Sequence, residues 1–283
     1  MDYYDKLLTE CKKAGKVTII GKTVCNRNIP LVSVGDGRAY TLIVGAVHAR
    51  EHITVELIKK LFFTTKLPFD VIPCLNIDGV LLCKYGLDAV PEDRREYLKI
   101  INGSDDFSLW KANAAAVDIN VNFDAGWGTG KQNVKYPSEA NYIGPYPESE
   151  PETQAAVNVL LGKKYSQVIC YHSKGEVIYW GFGKNLYHYA EAKAYADKVG
   201  YKLSHAKGSA GGLKDKFDLI SDGLGLTVEV GDDKYSHPYP EERLPELINK
   251  HKESVRLLYD NGIKIARKIG VYGLGVRRSG KSL

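Results

Sequence analysis

Apolar residues recur along the chain in short runs bounded by turn formers, and the period of each run predicts its conformation. Residues 17–20 and 31–34 alternate as strands do, with turn-forming residues at 26–28 and 35–37. Residues 40–47 form a compact apolar run of the kind expected for a buried strand, and it delivers His48 to a strand end. Between 53 and 63 the apolar positions Ile53, Val55, Leu57, Ile58, Leu61 and Phe62 fall near helical spacing, so a helix follows the turn that holds His48 and Glu51. The next apolar run, 69–75, precedes Asn76-Ile77-Asp78-Gly79, which reads as a turn. Strand, helix, strand is the signature of a βαβ unit.

Further along, residues 126–144 are rich in Gly, Asn, Tyr and Pro and predict a long surface loop. Ser149-Glu150-Pro151-Glu152 reads as a helix start, with Ser149 as cap, Pro151 early in the first turn and Glu152 closing a capping box. Residues 167–171 predict a strand ending at His172, 186–199 a helix stopped by Gly200, and 226–230 a strand carrying Glu229. A short helix precedes the first strand, 241–269 is helical in pattern, and no internal repeat is visible. The expected fold class is α/β, with the 283 residues forming one catalytic domain, 1–283.

Composition narrows the function. Hydrophobic residues make up 44% and charged residues 26%, which places the chain among ordinary globular proteins. The formal charge is +5, but Lys and Arg are spread along the chain without a dense basic block, which argues against a nucleic-acid partner. The first sixteen residues carry charges throughout and lack a leader pattern, and no segment approaches the roughly 18 apolar residues of a membrane span. Five cysteines without a short-spaced pair suit a reducing setting, so a soluble, unprocessed cytoplasmic protein is expected. Oligomeric state and a role for the basic stretch 277–281 are not legible.

Three of the predicted strands carry chemistry at their carboxyl ends, where open α/β sheets place their ligands. His48-Ala49-Arg50-Glu51 sets a His and a Glu three residues apart across a strand-to-helix turn, so both can reach one ion. A catalytic zinc needs three protein ligands and one open position, and His-His-Glu is an established set. His172 is the best third ligand, because an apolar strand leads into it and Ser173-Lys174-Gly175 turns away after it. The other histidines, His52, His188, His205, His237 and His251, lie beside the first motif, on helices or in loops. A lone His-x-x-Glu is common at helix starts; joined to His172 and to a strand presenting Glu229, it is selective. Gly126-Trp127-Gly128-Thr129-Gly130-Lys131 lacks the Ser/Thr and the helix of a phosphate loop, and no His-Glu-x-x-His is present.

With Asn76-Ile77-Asp78-Gly79, Val117-Asp118-Ile119-Asn120, Ser149-Glu150-Pro151-Glu152-Thr153, His172-Ser173 and Thr227-Val228-Glu229-Val230-Gly231 following His48-Ala49-Arg50-Glu51 in order, the chain resembles the zinc carboxypeptidases of the carboxypeptidase A type. The resemblance implies three α/β/α layers around a mixed, mostly parallel sheet, and one zinc per chain on His48, Glu51 and His172. It further implies that Glu229 takes the proton of a metal-activated water and returns it to the leaving amine.

Departures from the family pattern bear on the substrate. Family members usually read Asn-Arg-Asn where this chain has Asn120-Val121-Asn122; the resemblance keeps Asn120 as a substrate-binding residue, while Val121 cannot grip a terminal carboxylate as the arginine does. The oxyanion-stabilising arginine falls on Lys111, the mobile tyrosine on Lys207, and the pocket-determining position on Lys214, within Ala210-Gly211-Gly212-Leu213-Lys214-Asp215. That segment and residues 175–182 resemble the bacterial branch that hydrolyses γ-D-glutamyl-diaminopimelate bonds in peptidoglycan stem peptides. The expected substrate is therefore a short acidic murein peptide, with Lys207 and Lys214 binding it. The rivals are a carboxypeptidase of ordinary peptide C-termini, a deacylase of N-acyl amino acids and a catalytically silent protein that holds peptidoglycan fragments.

Overall fold

In the computed structural model, which describes residues 2–183, 186–205 and 207–271, the apolar runs pair into one eight-stranded mixed sheet. Its strands in chain order are β1 (Lys16–Lys22), β2 (Asn28–Val34), β3 (Thr41–Val44), β4 (Phe69–Ile72), β5 (Gln167–His172), β6 (Val177–Trp180), β7 (Lys202–His205) and β8 (Leu224–Glu229). They lie in the order β1-β2-β4-β3-β5-β8-β6-β7. Strands β4, β3, β5 and β8 run parallel to their neighbours within this central group, as do β6 and β7, while β1·β2, β2·β4 and β6·β8 are antiparallel. Every residue of β3, β4 and β5 is buried, which requires cover on both faces of the sheet.

The helices that supply this cover are α1 (Tyr3–Ala14), α2 (Ile53–Phe62), α3 (Ile77–Tyr85), α4 (Glu92–Asn102), α5 (Pro151–Gly162), α6 (Tyr189–Val199), α7 (Leu213–Ile220), α8 (Leu244–His251) and α9 (Ser254–Lys268). Ile43, Val44, Val168, Ile169 and Leu226 are fully enclosed between the layers, and each such side chain contributes about 1.5–3 kcal/mol by leaving water. No helix of the described residues is long and apolar enough to cross a membrane. All five cysteines are free. The basic stretch 277–281 lies outside the described residues.

Several local expectations are corrected. Asn76-Ile77-Asp78-Gly79 is the start of α3: the Asn76 Oδ1 accepts from Gly79 N at 3.0 Å, and its Nδ2 donates to the carbonyls of Val47 and Ala112. At α5 the cap position is Glu150, not Ser149, whose hydroxyl donates to Glu150 at 2.7 Å. Glu152 closes no capping box; it is fully buried and accepts from Val24 N at 3.1 Å and Asn113 Nδ2 at 3.2 Å. The helix expected from 186 begins at Tyr189.

Glu152 also has a stability signature. Burial, with the Asp78 carboxylate adding to it, pushes its carboxyl up to about 8. The folded protein then keeps a proton that the unfolded chain releases above about pH 4.5, so stability falls as pH rises through that window, by at most about 1.4 kcal/mol per unit. The thermal midpoint is expected to drop between about pH 5 and pH 8 and then level off, and Glu152→Gln to shrink that drop. A variant losing stability as steeply as the parent would remove Glu152 as the cause.

Candidate metal centre

The metal-ligand candidates are presented by backbone that has little freedom to move. After β3, Gly45 packs where a Cβ would lie 2.8 Å from the Pro73 carbonyl and 2.5 Å from Ile58 Cδ1, so the strand end fits closely over its neighbours. His48 then caps a short 3-10 turn, Ala49–Glu51. The Thr54 hydroxyl fastens both ends of this segment, accepting from Ala46 N at 2.9 Å and donating to Glu51 O at 2.8 Å. His172 ends β5 and lies opposite Glu229 in the parallel β5·β8 register, so their side chains emerge side by side on one face.

His48, Glu51 and His172 meet. The His48 Nδ1 lies 2.8 Å from Glu51 Oε1, the His172 Nδ1 2.9 Å from Glu51 Oε2, and the two Nδ1 atoms 3.1 Å apart. Ser173 N donates to Glu51 Oε2 at 3.2 Å. One ligand atom from each residue falls within 4.8 Å of the others, and all three residues are buried. Zinc–nitrogen bonds of about 2.0–2.1 Å at tetrahedral angles set two nitrogens about 3.3 Å apart, close to the spacing found. Two imidazole nitrogens turned toward each other and toward a carboxylate are a donor set that fits a dication.

Electrostatics agree with the geometry. Burial pushes the Glu51 carboxyl up, but His48 and His172 outweigh it and hold the carboxyl well below its ordinary value. Burial likewise lowers His48, and Glu51 with Asp118 more than reverses this. Asp118 has no role in the sequence reading, yet it organises the site. Its Oδ1 stands 3.3 Å from His48 Nε2, and its Oδ2 takes the Lys111 ammonium at 2.7 Å. Burial raises its carboxyl, while Lys111 and His48 prevail and hold it far below the usual range. A carboxylate behind a ligating imidazole fixes the ring and its tautomer. The signal available in the sequence is an acid inside the apolar stretch Val117-Asp118-Ile119.

Glu229 is half-buried and, among the described residues, no donor bonds its carboxylate. Burial drives it up to about 7, against the pull of His172 and with the push of the Glu51 carboxylate. It opens on a cavity of about 240 Å³ lined also by Asn120, Tyr179, Lys207, Lys214 and Asp215. A second cavity of about 320 Å³ is lined by His48, Lys111, Asn120, Asn141 and Lys207, so Asn120 and Lys207 border both. Lys111 is held by Asp118 and by Asn141 Oδ1 at 3.2 Å. Asn120 Oδ1 accepts from Leu213 N at 3.3 Å. Lys214 does not present a free charge: it is buried, with Asp215 at 2.7 Å, Asp218 at 3.2 Å and the Gly181 carbonyl at 3.0 Å around its ammonium. Lys207 is exposed.

Comparison with known proteins places the chain in a lineage. Residues 1–214 match the family Peptidase M14, zinc carboxypeptidase, a span that includes His48, Glu51 and His172. Gamma-D-glutamyl-L-diamino acid endopeptidase 1 of Lysinibacillus sphaericus is 28% identical over 239 residues, covering 76% of this chain and 60% of that protein. The uncharacterized protein YqgT of Bacillus subtilis is 31% identical over 196 residues, covering 67% of this chain and 51% of that protein. The chain thus spans only a little over half the length of these relatives. Among solved structures, bovine thrombin-activatable fibrinolysis inhibitor superposes with a TM-score of 0.72 at 18% identity, covering 94% of this chain and 95% of that one. Murein-tripeptide amidase of Escherichia coli O157 superposes at 0.61 with 19% identity, covering 87% and 95%. By this match the chain belongs to the zinc carboxypeptidase family.

Proposed function

We propose that the chain is a zinc peptidase that hydrolyses the γ-D-glutamyl–diaminopimelate amide of short murein peptides, with one zinc per chain held by His48, Glu51 and His172. The observation that carries the hydrolytic reading is Glu229: a carboxylate that no donor among the described residues bonds, set beside a buried His-Glu-His cluster and facing a cavity. An acid left without a donor in such a place is costly unless chemistry uses it. The named activities of the Lysinibacillus relative and of the E. coli structural neighbour support the choice of bond. Val121, which cannot hold a terminal carboxylate as an arginine does, supports a departure from ordinary tail trimming.

Zinc, when bound, supplies a Lewis acid that acidifies water and polarises a carbonyl. The chain's own residues do the rest. Glu229 takes a proton from the attacking water and hands it to the amine nitrogen of the leaving diaminopimelate. Lys111, anchored by Asp118 and Asn141 on the wall that His48 shares, offers an N–H donor to the developing oxyanion. Asn120 borders both cavities and orients the peptide between them. Five free cysteines suit work in the reducing cytoplasm.

Incubating the zinc-loaded protein with L-alanyl-γ-D-glutamyl-meso-diaminopimelate is expected to release free diaminopimelate; no release sinks the choice of bond. A carboxypeptidase of ordinary tails would instead trim a free C-terminus and reject its amide.

A further inference from the structure

The cavity beside His48 lacks an arginine at position 121 but is not short of cations. Its wall carries three lysines, Lys111, Lys131 and Lys207. Asp118 already neutralises Lys111, as Asp215 and Asp218 neutralise Lys214 in the adjoining cavity. Lys131 and Lys207 differ: both are exposed, and among the described residues neither ammonium has a carboxylate partner.

Lys131 is held in place by its backbone and its stem. It ends the glycine-rich stretch Gly126-Trp127-Gly128-Thr129-Gly130-Lys131, in which Gly126 and Gly128 take left-handed φ values of 66° and 77° and so let the chain turn tightly. Lys131 N donates to the Gly208 carbonyl at 3.0 Å, which ties this loop to the residue after Lys207. The stem of Lys131 lies across Gly208 so closely that a Cβ there would be 3.0 Å from its Cδ and 3.2 Å from its Cε. Two loops remote in sequence thus bring two ammonium groups, neither paired by a described carboxylate, to one cavity that a candidate metal ligand also lines.

We propose that Lys131, with Lys207 beside it, grips a carboxylate of the substrate in place of the missing arginine, which makes the 126–131 stretch a carboxylate-binding loop. The inference rests on the hydrolytic reading of the site and adds the residue that selects an acidic substrate. Two point charges that no carboxylate among the described residues pairs attract an anion without demanding the planar geometry of a guanidinium. A short peptide bearing several carboxylates suits them; a neutral one does not.

The test compares the parent with Lys131→Met and Lys131→Arg on the murein tripeptide and on the same peptide with its carboxylates amidated. Lys131→Met is expected to raise KM for the acidic peptide about fivefold, as loss of a partly solvated ion pair does, with kcat changed by less than about twofold. Lys131→Arg should retain most of the affinity. On the amidated peptide the difference between parent and Lys131→Met should vanish, and the parent's KM should rise more steeply with salt than the variant's. An unchanged KM on the acidic peptide, or an equal loss on both peptides, overturns the proposal. If the parent cleaves no tripeptide, the choice of bond fails separately. The carboxylate grip is then read by titrating both peptides into the zinc-loaded Glu229→Gln protein. Lower affinity for the acidic peptide in the Lys131→Met background supports it, and equal affinities in both backgrounds refute it.

Discussion

Replacing Glu229 by Gln is expected to lower turnover of the zinc-loaded protein by roughly a thousandfold, the scale of a lost general base, while zinc content and fold are retained. The substitution keeps the shape of the side chain, and no described residue donates to the carboxylate, so no structural bond is lost. The linkage sign points the same way. Burial raises the folded carboxyl to about 7, so between about pH 4.5 and 7 the folded protein binds a proton that the unfolded chain releases, and stability falls as pH rises. Glu229→Gln removes that fall and should leave the variant as stable as the parent, or more so, above neutrality. In the parent, kcat/KM should rise with pH along a limb set by this group at or below about 7, since a dication at the neighbouring ligands draws the value down. The limb should vanish in the variant. Full turnover in a variant that still binds zinc would end the case for Glu229.

What the sequence shows of this site follows from how local each determinant is. His48 and Glu51 are legible because an apolar run, a turn and an amphipathic helix are consecutive, and the turn between strand and helix has few shapes. The pairing of His172 with Glu229 is a fact of register, and a parallel partner can only be identified by folding the chain. Lys214 shows the opposite failure. Its neutralisation by Asp218 one helical turn later is readable once α7 is known, but that helix is only eight residues long and too short to stand out by period. Asn76 misleads because the same side chain serves turns and helix caps. Ser149 and Glu152 fit the capping-box spacing, yet Asn113 and Val24, distant in sequence, claim the Glu152 carboxylate. Lys131 sits in a loop that a backbone bond ties to Gly208, a partner far away in sequence that no local pattern announces.

Zinc is expected to stabilise the fold, and Glu51→Gln to abolish the gain. A ligand that binds only the folded chain contributes about 2.7 kcal/mol at a hundredfold excess over its dissociation constant, and each kcal/mol moves the midpoint of a domain near this size by about 2–4 °C. A rise of roughly 5–10 °C on adding zinc to chelator-treated protein follows. Glu51 is the right residue to remove, because its two oxygens face the Nδ1 atoms of His48 and His172 at 2.8 and 2.9 Å and its charge offsets that of the cation. An amide neither carries that charge nor accepts at both positions. Asp118→Asn should act more mildly, weakening zinc by about 10–100-fold, since it supports a ligand rather than being one. The gain should also shrink as pH falls, because protons compete for the imidazoles and carboxylate. If Glu51→Gln and the parent were stabilised equally by zinc, the ion would have to sit elsewhere, and the placement of Glu229 beside it would lose its chemical meaning.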